Sequence, residues 1–230
     1  MELTILIPCL NEEKTIGRCI KKAHEFINKN NIQAEILVVD NGSTDNSVDV
    51  SKKLNARVIH VPQIGYGNAL IEGTKAALGK YTIMGDADDS YNFLELEEFI
   101  SKLREGNELV IGNRYKGKME KGAMKLSHKY IGTPIISKLA QKLFDINIED
   151  FNCGLRGYET QKIIELNCNS SGMEYATEMI IKAKKRNLKM VEIPINFYKD
   201  KREKASHLRT IRDGIRHFKI IFNNLNIGAK

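Results

Sequence analysis

Residues 35–45 read EILVVDNGSTD. The run I-L-V-V carries no polar alternation, so it describes a short strand buried on both faces, as in a parallel sheet. It stops at Asp40, and Asn41-Gly42-Ser43 supplies turn chemistry. The same design recurs on both sides. Residues 3–8 (LTILIP) are an apolar run closed by proline, and residues 80–85 (KYTIMG) run straight into DADDS. Residues 57–61 and 108–112 add two more strands. Helical spacing fills the gaps. Residues 11–26 read as a helix capped by Asn11, with Glu12 and Glu13 at its positive end and Ile16, Ile20, Ala23 and Ile27 on one stripe. Further helices follow Asp45 to about residue 54, open at Gly65 and run to 78, and cover 93–104. Strands alternating with helices predict an α/β fold with a mostly parallel sheet and right-handed crossovers. Ligands of such sheets bind beyond the carboxyl ends of the strands. The loops after Pro8, Asp40 and Gly85 should therefore share one rim.

The second half is less regular. It predicts a helix over 124–144, a strand near 155–158, a helix near 175–186 and a strand over 190–197. A basic loop at 199–204 leads to a last helix from about 208 to 225. There Leu208, Ile211, Ile215, Phe218, Phe222 and Leu225 recur at three- to four-residue spacing. Arg209, Arg212, Arg216 and Lys219 lie mostly off that stripe. Such a basic amphipathic helix either rests on an anionic membrane surface or packs on the domain.

The chain has 230 residues, 42% of them hydrophobic and 28% charged, so it can bury a sizeable core. A net charge of +7 suits nucleic acid, anionic lipid or phosphorylated substrates. The four cysteines form no CxxC pair, which disfavours a zinc knuckle and reads as reduced, buried thiols. No apolar run reaches the roughly 20 residues that span a bilayer. The simplest expectation is a cytoplasmic protein, extended to a peripheral position on the cytoplasmic face of a membrane.

The sharpest chemistry lies in M-G-D-A-D-D-S. Asp86 and Asp88, with Ala87 between them at a strand end, can bear on one hard cation, Mg²⁺ or Mn²⁺, that also holds a diphosphate. The alternative is an acidic turn capping the helix after Ser90. Asp40 either accepts a nucleobase N–H or builds its own turn. The glycines of Gly65-Tyr66-Gly67 permit close approach of a backbone or a ligand. No G-K-[ST] follows, so this is not a Walker loop, nor is it a dinucleotide fingerprint.

In order, I-P-C-L-N-E-E, V-V-D-N-G-S-T-D, G-Y-G-N-A, G-D-A-D-D and G-N-R-Y-K resemble the motifs of family-2 glycosyltransferases of GT-A fold. They are most similar to those of the polyprenyl- and dolichol-phosphate hexose synthases, from about Leu3 to Leu208. The resemblance implies a nucleotide-sugar half at 1–115 and an acceptor half at 116–205 within a domain at 1–205, with 206–230 as a terminal amphipathic helix. It implies that Pro8, Leu10, Glu12, Asp40, Asn41, Asp86, Ala87, Asp88 and Arg114 line the nucleotide-sugar pocket, with Asp86 and Asp88 on the metal. D-F-N-C-G-L-R is similar to a later family motif and places Asp150 and Arg156 on the acceptor side. Lys201 and His207 stand where related synthases carry arginine and lysine, which would make Arg156, Lys201 and His207 the cations for an acceptor phosphate. Leu10 replaces a tyrosine, Asn41 an aspartate, and Asp89-Ser90 a leucine–glutamine pair.

The implied reaction is inverting transfer of a hexose from GDP-mannose or UDP-glucose to a polyprenyl or dolichyl phosphate, with Asp88 and Arg114 in the catalytic set. An ionised phosphate needs positioning more than deprotonation. A glycan or small-molecule hydroxyl is the alternative acceptor. It would need a base, with Glu174 and Glu178, four apart on a helix, as the candidates. A nucleotide- or RNA-binding module is the non-enzymatic reading. It lacks an aromatic RNP pattern, and no nucleic-acid partner is expected.

Overall fold

Strand β1 (Leu3–Cys9) is buried along its whole length because a parallel strand covers each edge. On one side lies β2 (Ala34–Asp40), followed outward by β3 (Arg57–His60). On the other side lies β4 (Tyr81–Met84), and beyond it β6 (Arg156–Glu159), β5 (Leu109–Asn113) and β7 (Met190–Pro194) complete a seven-stranded sheet ordered β3-β2-β1-β4-β6-β5-β7. β6 runs antiparallel to both neighbours, and the other pairings are parallel. The structure, a computed structural model, describes residues 1–126, 128–202 and 210–225.

Helices α1 (Ile16–Lys29), α2 (Ser47–Lys53), α3 (Tyr66–Ala76) and α4 (Glu97–Arg104) connect the first five strands. α1 buries Ile16, Cys19, Ile20, Ala23 and Phe26; of the stripe read from the sequence, Ile27 is only half-buried, and Cys19 and Phe26 join it. Its start is later than expected. Asn11 takes a left-handed conformation (φ 57°) and its side-chain oxygen accepts the Thr44 amide, so residues 11–15 belong to the rim. The helix expected from 93 likewise begins only at Glu97. In the second half, the helix expected over 124–144 is broken. A π-helical turn at His128–Gly132 precedes α5 (Thr133–Phe144), whose first turn holds Pro134, a residue without an amide to donate. A short α6 (Thr160–Glu165) and α7 (Tyr175–Lys185) follow. Cys9, Cys19 and Cys153 are buried and Cys168 half-buried, all four as free thiols.

The terminal helix α8 (Thr210–Leu225) packs on α7 and α5. Of the apolar stripe, Phe218 packs against the core. Asp213, His217, Ile221 and Asn224 are buried, while Ile215, Phe222 and Leu225 are exposed, with Arg212 and Lys219 beside them. Polar bonds add to this docking. Lys185 Nζ donates to the Asn224 main-chain oxygen, and His217 Nδ1 lies 2.8 Å from Thr177 Oγ1. No helix among the described residues is long and apolar enough to cross a membrane.

Burial pushes the His217 imidazole down from its ordinary 6.5 to about 4. Below pH 6.5 the unfolded chain takes a proton that the fold refuses, so this site costs stability as pH falls toward 4. We expect wild type to lose on the order of 3 kcal/mol more than His217→Gln across that window in urea titrations. Equal slopes would mean that the ring is hydrated.

Candidate active site

The strand register builds the rim. Cys9 pairs with Asp40, so β1 and β2 end together, while β4, whose Met84 pairs with Leu6, runs on through Gly85 into Asp86 alongside the end of β1. Because β6 runs the other way, Arg156 pairs with Met84 and the preceding segment 150–155 arrives at the same rim. Gly154 lies so close to Asp86 that a Cβ there would stand 2.6 Å from its Oδ2.

Asp86 is half-buried at the mouth, and its Oδ1 accepts a 2.8 Å hydrogen bond from Tyr66 Oη. Burial and the neighbouring Asp88 push its carboxyl up to about 6, against the Tyr66 bond and the Arg202 and Arg114 cations. Asp88 is 6% exposed. Its Oδ1 is tied into a turn by the Ser90 amide (3.0 Å) and hydroxyl (2.5 Å), so only Oδ2 faces the site. That oxygen accepts from Arg202 Nη2 at 2.8 Å, and Arg202 Nη1 reaches Glu12 Oε1 at 3.1 Å. Glu12 is buried, and burial, reinforced by Asp88 and opposed by Arg202, raises it to about 7. Ala87 is buried and its carbonyl accepts from Cys19 Sγ. Tyr66 and Arg202 were not among the residues picked from sequence. Tyr66 stood inside a quoted motif, and the paired basic residues at 201–202 were the only trace of Arg202.

On the nucleotide side, Pro8 is buried in β1 and Leu10 half-buried after it. Burial disfavours the charge of Asp40, but bonds from Ser43, His60 and Gly42 outweigh it and hold the carboxyl below its usual range. Asn41 braces the 61–65 loop. Its Nδ2 donates to the Val61 and Gln63 carbonyls, and its Oδ1 accepts from the Gly65 amide. The glycines opening α3 admit backbone. A Cβ on Gly67 would lie 2.0 Å from the Ser170 carbonyl oxygen, and one on Gly65 would lie 2.2 Å from that of Ser171.

The other expected site residues divide sharply. Arg114 forms a two-pronged pair with Asp150, Nε and Nη2 each 2.7 Å from a carboxylate oxygen, and lies over the Phe197 ring. Arg156 is fully buried, and its guanidinium donates to the carbonyls of Cys153, Phe151 and Ala176. It braces the rim rather than facing a ligand. Both oxygens of Glu178 are engaged by the Asn169 and Ser170 amides, and Lys182 lies at 2.7 Å. Burial opposes the Glu178 charge, but those partners hold its pKa below the usual range, which ill suits a base. Glu174 differs: Oε1 pairs with Arg216 at 2.8 Å, while Oε2 is buried without a hydrogen-bond partner among the described residues. Lys201 Nζ lies 3.0 Å from Asp89 and is half-exposed. His207 lies outside the described residues.

The sequence profile of glycosyl transferase family 2 matches residues 4–166. The chain belongs to glycosyl transferase family 2. It is 31% identical to the low-salt glycan biosynthesis hexosyltransferase Agl6 of Haloferax volcanii, over 96% of this chain but 53% of that protein. The chain thus spans about half of that relative. It is 26% identical to a dolichyl-phosphate hexose transferase of the same organism, over 90% of this chain and 86% of that one. A Mycobacterium tuberculosis glucosyl-3-phosphoglycerate synthase, crystallised with Mn²⁺, UDP-glucose and phosphoglyceric acid, superposes with a TM-score of 0.76 at 17% identity, covering 98% of this chain and 80% of that one. The fold is therefore that of GT-A glycosyltransferases.

Breaking a buried pair leaves an unpaired charge. Asp150→Ala should destabilise the protein by about 3–5 kcal/mol in urea denaturation, by stranding Arg114. A loss below about 1 kcal/mol would mean that Arg114 is free to turn to solvent.

Proposed function

We propose that this family-2 glycosyltransferase moves a hexose from a nucleoside-diphosphate sugar, GDP-mannose or UDP-glucose, to a polyprenyl or dolichyl phosphate, with inversion at the anomeric carbon. The observation that carries it is the proximity of Asp86 and Asp88 on the rim where β2 also ends in Asp40. The acceptor reading is supported by similarity to a dolichyl-phosphate hexose transferase along nearly the full length of both chains.

The donor set fits a divalent cation. It consists of hard carboxylate oxygens, and one of them, Asp88 Oδ2, already takes a cation, the guanidinium of Arg202. Among the described residues no group of three or more Asp, Glu, His or Cys converges on a metal position. Asp86 and Asp88 would hold Mg²⁺ or Mn²⁺ together with donor phosphates, as Mg²⁺ commonly prefers. Such an ion would neutralise charge developing on the departing diphosphate.

The protein's own groups do the rest. Tyr66 orients Asp86. Asp40 offers a carboxylate to a base N–H beside Pro8 and Leu10. Arg114, locked by Asp150, places a fixed positive charge near Asp86. An acceptor phosphate oxygen attacks the anomeric carbon as the bond from that carbon to the diphosphate oxygen breaks, and the nucleoside diphosphate keeps the electron pair. No base is required for an ionised phosphate. The outward Ile215, Phe222 and Leu225 beside Arg212 and Lys219 suit α8 to an anionic membrane surface, where a lipid acceptor resides.

The test incubates purified protein with labelled GDP-mannose or UDP-glucose, Mn²⁺ or Mg²⁺, and dolichyl phosphate in phosphatidylcholine vesicles. Label should enter the lipid phase with one donor, and Asp86→Asn should lower that rate on the order of 100-fold or more. Donor consumption with label retained in water, on glycan or small-molecule hydroxyls, would replace the lipid acceptor by the alternative one. Failure to bind any nucleotide-sugar would defeat the transferase reading.

A further inference from the structure

Arg202 occupies an unexpected position for a residue on a loop that follows the sheet. Residues 198–202 lie along the acidic segment. The Tyr198 amide donates to the Ser90 carbonyl (3.0 Å) and the Lys201 amide to that of Asp88 (3.1 Å). Lys201 Nζ adds a 3.0 Å contact to Asp89, which also holds Lys22 at 2.6 Å. These bonds fix the strap without touching the oxygens that face the site. Of residues 198–202, Arg202 is the one that reaches them, through Nη2 to Asp88 Oδ2 and Nη1 to Glu12 Oε1, with Asp200 3.6 Å away.

Two features show that this seat is a compromise. Arg202 is only 15% exposed, yet its Nε is buried without a hydrogen-bond partner among the described residues. A buried guanidinium normally satisfies all its donors. And since Ser90 takes Asp88 Oδ1, the oxygen Arg202 holds is the one Asp88 has left to offer. A divalent ion and a guanidinium cannot both occupy it, because like charges at such short range repel strongly even at the moderate dielectric of a protein surface.

We infer that Arg202 is the resident counter-cation of this site: bridging Asp88 to Glu12, it takes the Asp88 oxygen that the divalent ion would use, and it must leave Asp88 Oδ2 when the ion binds. This rests on the metal assignment of the proposed function. It goes beyond that assignment by making ion binding an exchange of one cation for another. In the ion-free protein the guanidinium keeps three clustered carboxylates, Glu12, Asp86 and Asp88, from standing unneutralised. Once drawn off Asp88, its Nη2 becomes available to an anion entering the same pocket, such as a phosphate oxygen, together with Nε, which has no partner among the described residues.

Mn²⁺ binding to the full chain, followed by electron paramagnetic resonance without nucleotide, tests the exchange. Arg202→Met removes the competitor and should bind Mn²⁺ about tenfold more tightly than wild type, despite having lost a site residue. Its melting temperature should also rise more on adding Mn²⁺ than that of wild type, because the ion restores the missing neutralisation. Arg202→Lys keeps the charge and carries the test should the methionine variant not fold. Its ammonium lacks the fork that meets two carboxylates at once, so Mn²⁺ should bind two- to threefold more tightly than to wild type, as an approximate figure. Equal or weaker Mn²⁺ binding by both variants would overturn the exchange while leaving the metal site standing. Absence of Mn²⁺ binding to wild type and variants alike, with UDP or GDP present, would overturn the metal assignment and the exchange together.

Discussion

Strand β6 runs against its neighbours, with Arg156 opposite Met84, and the site depends on that reversal. A parallel strand in that place would deliver its start to the far edge of the sheet. The antiparallel one brings residues 150–155 to the same rim as Asp40 and Asp86. It also inserts β6 between β4 and β5, so the β5 end carries Arg114 to Asp150 and the β7 end leads into the strap at 198–202. Glycines at the crossing points allow the approach, Gly154 against Asp86 and Gly67 against the Ser170 carbonyl. The buried Arg156 then locks the arrangement, because its guanidinium ties Phe151 and Cys153 to the first turn of α7.

Charge is distributed around this frame by burial. Asp150 has Arg114, Asp89 has Lys22 and Lys201, and Glu178 has Lys182 and two amides. Such groups are matched where they sit, and they organise the pocket. Glu12 and Asp86 are not fully matched, and burial raises both. An imperfectly neutralised carboxylate cluster beside an arginine whose Nε has no partner among the described residues is poised for an exchange of ions. The family to which the chain belongs transfers sugars, and stabilising a departing diphosphate is the chemistry such a cluster can support.

The last helix follows a different logic. It docks through Thr177–His217 and Lys185–Asn224 and turns Ile215, Phe222 and Leu225 outward. A helix usually buries its apolar stripe. Here the helix buries Ile221 and packs Phe218 and Ile220 on the core, hydrogen bonds to α7 add to that docking, and the outward apolar residues alternate with Arg212 and Lys219 on the exposed face.

The sequence by itself determined the alternating α/β architecture, the β1–β5 strands to within a residue or two, and the convergence of Asp40, Asp86 and Asp88 on one rim. Apolar runs ending in acidic turns are local signals, and a parallel sheet converts strand ends into neighbours without further information. Tertiary structure alone decided what each charge does. Arg114 and Arg156 look alike in sequence, yet one lies beside the site and the other holds main-chain carbonyls in the interior. Glu174 and Glu178 share a helix face, yet only Glu174 keeps an oxygen without a partner among the described residues. Arg202 was passed over for its neighbour Lys201, because which of two adjacent cations enters a pocket depends on how the strap is pinned. The role of a charged side chain is set by partners distant in the chain and by the water they exclude, and neither is written in local pattern.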